Sequence, residues 1–195
     1  MTQPPILVAL DTPTADRALE LGSALAPHVA GFKVGLELLM GPGPGLISEL
    51  GRLDRPIFVD AKLHDIPNTV AAAARQLGEV GARWVTVHAA GGRRMMEAAV
   101  SGLAEGAGDA HSGILAVTVL TSLADLAEIG DQDAVRGQVD RMARLAAIAG
   151  VEGVVCSPLE IETCKTAAPG LITVVPGIRP GGSEHHDQAR VATPE

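Results

Sequence analysis

Cysteine is scarce in this chain of 195 residues: there are two, Cys156 and Cys164. Their spacing matches neither a zinc site nor a C-x-x-C redox pair, so buried or incidental thiols in a reducing compartment are expected. No block of Lys or Arg stands out, because 15 basic residues are set against 23 acidic ones and the net charge is −8. Nucleic-acid binding and membrane-surface binding therefore have little electrostatic support. No apolar run approaches the roughly 20 residues of a membrane span. The opening MTQPPILVALD lacks the basic start and long apolar core of a secretory signal. There is no G-x-G-x-x-G fingerprint and no lysine with an obvious pyridoxal phosphate setting, so no cofactor is implied. These absences point to a soluble cytoplasmic protein that meets any anionic substrate with a few local cations and backbone amides.

What is present is a regular beat. A hydrophobic content of 47% over 195 residues supports one domain, 1–195, with a substantial core. Ile6–Leu10, Gly31–Val34, Ile57–Asp60, Trp84–His88, Gly113–Val119, Gly153–Cys156 and Leu171–Val175 read as strands. Helical patterns follow them: Thr12 or Thr14 to about Ala26, a short helix through Leu50 after GPGPG, Asn68–Gly81 and Arg93–Leu103. A longer helical region reaches Ala149, and Pro158 starts another helix to about Ala167. Strand-then-helix units without hairpin signals argue for a parallel sheet with right-handed crossovers. An open doubly wound sheet is one solution. The polar residues that end successive strands favour a barrel, with Asp11, Lys33, Asp60, Lys62, His88 and Arg179 gathered at one rim, where parallel barrels bind ligands.

The chain is organised around Ile57–Val70, IFVDAKLHDIPNTV. The two-residue period of a strand puts Asp60 and Lys62 on one side and Val59 and Ala61 on the other. Asp65 follows three residues on, making an alternating row of carboxylate and ammonium. For D-x-K alone, a plain salt bridge with an acidic residue near a helix N-terminus is the better reading. Asp11 alone reads as a helix-entry residue, and His88 as a structural hydrogen-bonding histidine. His64 is assigned no chemistry, and the His185–His186 pair is a weak metal signal. Arg179, shortly after Gly177 in a glycine- and proline-rich loop, suits an anion.

The fourteen-residue pattern nevertheless resembles the bacterial type of orotidine 5′-phosphate decarboxylase, with its D-x-K-x-H-D-I-P-N-T signature. The resemblance extends through VALD at Val8–Asp11, GFKVGLEL at Gly31–Leu38, VHAAGG at Val87–Gly92 and AVTVLTS at Ala116–Ser122. It continues in VPGIRPGG and HDQAR, between Val175 and Arg190. It implies a (β/α)8 barrel acting as a homodimer on orotidine 5′-phosphate to give UMP and CO2, the last step of de novo UMP synthesis. By position, Lys62 would protonate C6 of the pyrimidine and Asp60 would lie beside the substrate carboxylate. Asp65, Ile66 and Thr69 would reach the neighbouring subunit's site. Lys33 and Asp11 would bind ribose hydroxyls and complete the charge row. Thr121 would contact the base, and the loop carrying Pro176, Gly177, Arg179 and Gln188 would close over base and phosphate.

The chemistry agrees with that assignment. Loss of CO2 from C6 leaves an electron pair in an sp² orbital that the ring π-system cannot absorb. With no electron sink in view, stabilisation falls to a preorganised cation, and an ammonium also supplies the proton. Lys62 suits both tasks, with Asp60 and Asp65 as flanking groups that fix its position. Phosphate binding, remote from the reacting carbon, can drive loop closure.

One feature departs from the family pattern. The principal phosphate arginine, in a V-G-R-type eighth strand, has no counterpart by Glu195, so the expectation is a barrel with its eighth strand and helix missing and a C-terminally truncated chain. Two alternatives remain. One is a metal-dependent relative acting on 3-keto sugar phosphates or hexulose phosphates, which Lys33 opposes because those enzymes carry an acidic residue on the second strand. The other is an inactive truncated fragment.

Overall fold

Short apolar runs, bounded by glycine, proline and charge, become the strands of a single parallel sheet. The computed structural model describes residues 5–123 and 135–178. β1 (Leu7–Ala9), β2 (Gly31–Val34), β3 (Ile57–Leu63), β4 (Trp84–His88), β5 (Gly113–Val117), β6 (Gly153–Val155) and β7 (Ile172–Val174) each pair in parallel with the next in sequence. A strictly sequential order has no reversal point, which removes the doubly wound alternative. α1 (Ala15–Leu25), α2 (Leu36–Met40), α3 (Gly45–Gly51), α4 (Pro67–Glu79), α5 (Arg93–Ala107), α6 (Val135–Ile148) and α7 (Ile161–Ala167) form the crossovers. The result is an α/β half-barrel in which, among the described residues, β1 and β7 are the sheet's edges.

Local chemistry sets several helix starts. Thr14 caps α1 by accepting from the Arg17 N–H, and Pro67 occupies the first turn of α4, where its missing N–H costs nothing. Pro158–Glu160 is a 3-10 turn rather than the start of a longer α-helix. There the Ser157 hydroxyl and the Glu160 carboxylate satisfy each other's backbone, so Glu160 is buried while still paired.

The register assigns the two faces. Phe32, Val34, Ile57, Val59, Val85, Val87, Ile114, Ala116 and Val154 point outward into one core with the helices, including Val70, Ala74, Met95, Met96, Leu103, Val139 and Ala143. Lys33, Phe58, Asp60, Thr86, His88 and Leu115 alternate with them and occupy the inner face. The pattern is apolar against the helices and polar toward the open C-terminal ends of the strands.

Two strand ends depart from expectation by more than one residue. β5 ends at Val117 rather than Val119. β3 continues past Asp60 to Leu63 because its register shifts: Val59 pairs with Val85, but Leu63 pairs with Val87. The intervening Asp60–Ala61–Lys62 faces one β4 residue, Thr86, which is a bulge of three residues against one rather than regular alternation. Of the helical region expected up to Ala149, Val135–Ile148 is α-helix and 124–134 lies outside the described residues. The expectation of a truncated chain lies outside them too.

α4 and α5 pack backbone against backbone. A Cβ at Gly102 would land on the Ala71 carbonyl oxygen, and one at Gly106 on the Arg75 carbonyl oxygen. Gly106→Ala should therefore destabilise the fold by about 1–3 kcal/mol, the usual cost of overpacking. Gly51→Ala, at the open end of α3, should stabilise by about 0.5 kcal/mol through reduced unfolded-state entropy. Urea denaturation of both variants checks the pair of signs.

Candidate active site

The β3 bulge builds the site. At Lys62 the backbone turns into the left-handed region, with φ of 48°. For a residue with a Cβ that conformation costs of order 1–2 kcal/mol, so something must hold it. The holding group is Thr86, fully buried in the middle of β4. Its hydroxyl oxygen accepts from the Lys62 backbone N–H at 2.8 Å, and the same hydroxyl donates to Asp60 Oδ1 at 2.9 Å. The other carboxylate oxygen, Asp60 Oδ2, accepts from Lys62 Nζ at 2.7 Å. Asp60 and Lys62 thus share a side, but a bulge braced from the next strand brings them together.

A second pair stands across β2. Lys33 Nζ lies 3.2 Å from Asp11 Oδ1, and Gly35 leaves room beside both atoms. Leu10, Asp11, Lys33, Gly35, Leu36, Glu37, Leu38, Asp60 and Lys62 line one cavity of ≈ 240 Å³. Two ammonium groups (Lys33, Lys62) and three carboxylates (Asp11, Glu37, Asp60) therefore line a single space at the C-terminal ends of β1, β2 and β3. Such a set suits an anionic substrate whose charge moves during reaction.

Asp65 does not join this row within the chain, which corrects the expectation that it flanks Lys62. The residues after the bulge turn away, and Asp65 Oδ1 instead accepts from the Ile66 N–H at 2.6 Å. Asp65 and Ile66 line a separate cleft of ≈ 530 Å³ with His64, Pro67, Ala90 and Gly91. Thr69 lies exposed in the first turn of α4, close by in sequence. Thr121 sits beyond the end of β5, while Pro176 and the buried Gly177 follow β7. Arg179, Gln188, His185 and His186 lie outside the described residues.

Two groups carry more than the sequence suggested. Thr86 looked like an ordinary strand residue; its signal was a lone hydroxyl in the middle of WVTVH. His88 lies 5.4 Å, ring to ring, from His64. Burial, then the neighbouring His64 and Lys62, hold its imidazole below its usual range, against the opposing pull of Asp60. Among the described residues there is no cluster of three or more His, Cys, Asp or Glu placed to hold a metal ion. No helix among them is long and apolar enough to cross a membrane.

Comparison with known proteins follows the same line. The family model for the orotidine 5′-phosphate decarboxylase / HUMPS family matches residues 4–195. An orotidine 5′-phosphate decarboxylase of Anaeromyxobacter dehalogenans is 50% identical over 97% of this chain and 82% of its own length. That of Dichelobacter nodosus is 46% identical over 100% of this chain and 86% of its own. Among solved structures, the orotidine 5′-phosphate decarboxylase of Lactobacillus acidophilus superposes with a TM-score of 0.83 at 39% identity, covering 90% of this chain and 82% of that one.

The depressed His88 has a consequence for stability. Its folded-state pKa lies below the unfolded value near 6.5, so the unfolded chain binds more protons in that window. Stability should be fully present above about pH 6.5, fall as pH drops toward the folded value, and level off below it. NMR titration of the His88 ring, with denaturation midpoints for wild type and His88→Gln across this range, checks the sign. A ring titrating above 6.5 would contradict it.

Proposed function

The chain belongs to the orotidine 5′-phosphate decarboxylase / HUMPS family, and from that premise we propose how its own residues carry out the decarboxylation of orotidine 5′-phosphate to UMP and CO2, within UMP biosynthesis. The observation that carries the reading is the Lys62 ammonium, hydrogen-bonded to Asp60 and lining the cavity that Lys33 and Asp11 share.

The bond from C6 to the carboxylate breaks with its electron pair left on C6, and CO2 departs. The pair lies in the ring plane, so it is met by a charge placed in that plane rather than by resonance. Lys62 Nζ is that charge, and it then gives its proton to C6 and regains one from solvent. Asp60 holds the ammonium ready before the charge appears, which avoids reorganisation at the moment of reaction. It also lies beside the departing carboxylate. Lys33 and Asp11, a paired donor and acceptor at the cavity's other wall, take the ribose hydroxyls. Thr121 contacts the base, and Pro176, Gly177, Arg179 and Gln188 close over base and phosphate. The metal-dependent relatives are disfavoured by Lys33, a cation where they carry an acid.

Asp65, Ile66 and Thr69 serve the site of a second copy of the chain. Two features support this: Asp65 faces a cleft separate from Lys62, and Ile66, a large apolar residue, is 68% exposed beside it. The homodimer is isologous, so each copy completes its partner's site.

Lys62→Ala should lower kcat by at least about 10⁴-fold, since it removes both proton donor and preorganised charge. An ultraviolet assay of orotidine 5′-phosphate loss measures it, and retained turnover would remove Lys62 from this role. Mixing the inactive Lys62→Ala and Asp65→Asn chains tests the shared site. Random pairing should restore about a quarter of the wild-type sites, because half the dimers are mixed and each mixed dimer has one intact site. No recovery would place Asp65 in its own chain's site.

A further inference from the structure

We propose that Thr86 is a positioning residue for the decarboxylation, acting through Lys62 and Asp60 rather than on the substrate. Thr86 lies in mid-strand, wholly buried, with apolar residues on both sides of it in sequence. A hydroxyl enclosed in this way must find partners within the protein. Here both partners belong to the reactive pair: it accepts from the Lys62 N–H and donates to the Asp60 carboxylate. Asp60 in turn accepts from Lys62 Nζ, so the bonds close a ring that leaves the Lys62 backbone and returns to its side chain.

That ring has two effects. It gives the Lys62 backbone N–H a partner within the bulge, and so holds Lys62 at a positive φ. It also occupies Asp60 Oδ1, which orients the carboxylate so that Oδ2 meets the ammonium. Without the hydroxyl, Asp60 can rotate and the bulge can relax toward regular pairing, carrying Nζ away from the reacting carbon. The hydroxyl lies behind the cavity and is not among its lining groups, so substrate affinity should not depend on it. The signature is therefore a loss in kcat with KM retained, as for an interaction used only in the transition state.

This inference rests on the assignment of Lys62, and the test separates the two. Steady-state kinetics are compared for wild type, Thr86→Val, Thr86→Ser, Thr86→Cys and Lys62→Ala, with thermal unfolding of each. Thr86→Val keeps the shape and removes the hydroxyl; it should lower kcat about 10- to 100-fold, the usual worth of a hydrogen bond to a charged group, with KM within about twofold. Thr86→Ser should return kcat to within about threefold of wild type, because it restores the same donor and acceptor. If Thr86→Val does not fold, Thr86→Cys decides, since a thiol fills the space but bonds weakly. Its kcat should fall where that of the serine variant does not. Wild-type kcat in Thr86→Val or Thr86→Cys, a change confined to KM, or failure of serine to rescue would overturn the proposal. Full activity in Lys62→Ala would overturn the assignment beneath it instead.

Discussion

In the role proposed for it, the Lys62 ammonium must be in place before negative charge develops, and the support it has on more than one side is a bulge. Lys62 takes a backbone conformation that its own side chain disfavours, and it is kept there by contacts from Asp60 on the same strand and Thr86 on the next. The parallel sheet is what makes this affordable. Outward-facing valines and isoleucines of β2–β5 lock the strands against the helices, so a local distortion at one strand's end does not spread. Strain at the site is thus offset by packing elsewhere in the fold.

The same division explains where the charges go. The outer face is consumed by the core, and the inner face is polar from Thr86 in the middle of β4 toward the C-terminal strand ends. Lys33 from β2 and Asp60 and Lys62 from β3 therefore reach one cavity, although 22 residues separate Asp11 from its partner Lys33. The remaining acidic residue of the signature, Asp65, is carried past the strand end to another surface. One short motif in this way lines two separate spaces: its first half the cavity of Lys62, its second half the cleft of Asp65.

The strands and their order were legible because apolar runs and glycine punctuation are local signals. β4 follows its expected bounds, Trp84–His88, because a five-residue run of β-branched and aromatic residues has little helical alternative. The bulge was not legible. Whether three residues face one depends on the partner strand, and IFVDAKL alternates well enough on paper to suggest a regular strand. Thr86 stayed hidden for the same reason, since threonine is a good strand former whether or not its hydroxyl has a task. Asp65 misled through proximity: three residues from Lys62 in sequence, it lies beyond the end of β3, where the strand's two-residue period no longer applies. The resemblance to a family was more informative than any of these patterns, because it covered separate strand ends that converge only in the fold.

The central claim is that Lys62 presents a positioned positive charge to electrons appearing at C6. A pyrimidine nucleotide with an anionic oxygen at C6 imitates that state, while UMP imitates only the shape. The direct measurement is the ratio of their dissociation constants in wild type and in Lys62→Ala. The account predicts that wild type prefers the anionic ligand by at least about 10²-fold, as transition-state analogues do, and that most of this preference disappears in the variant. A preference of the same size in both proteins would show that the charge is met by something other than Lys62.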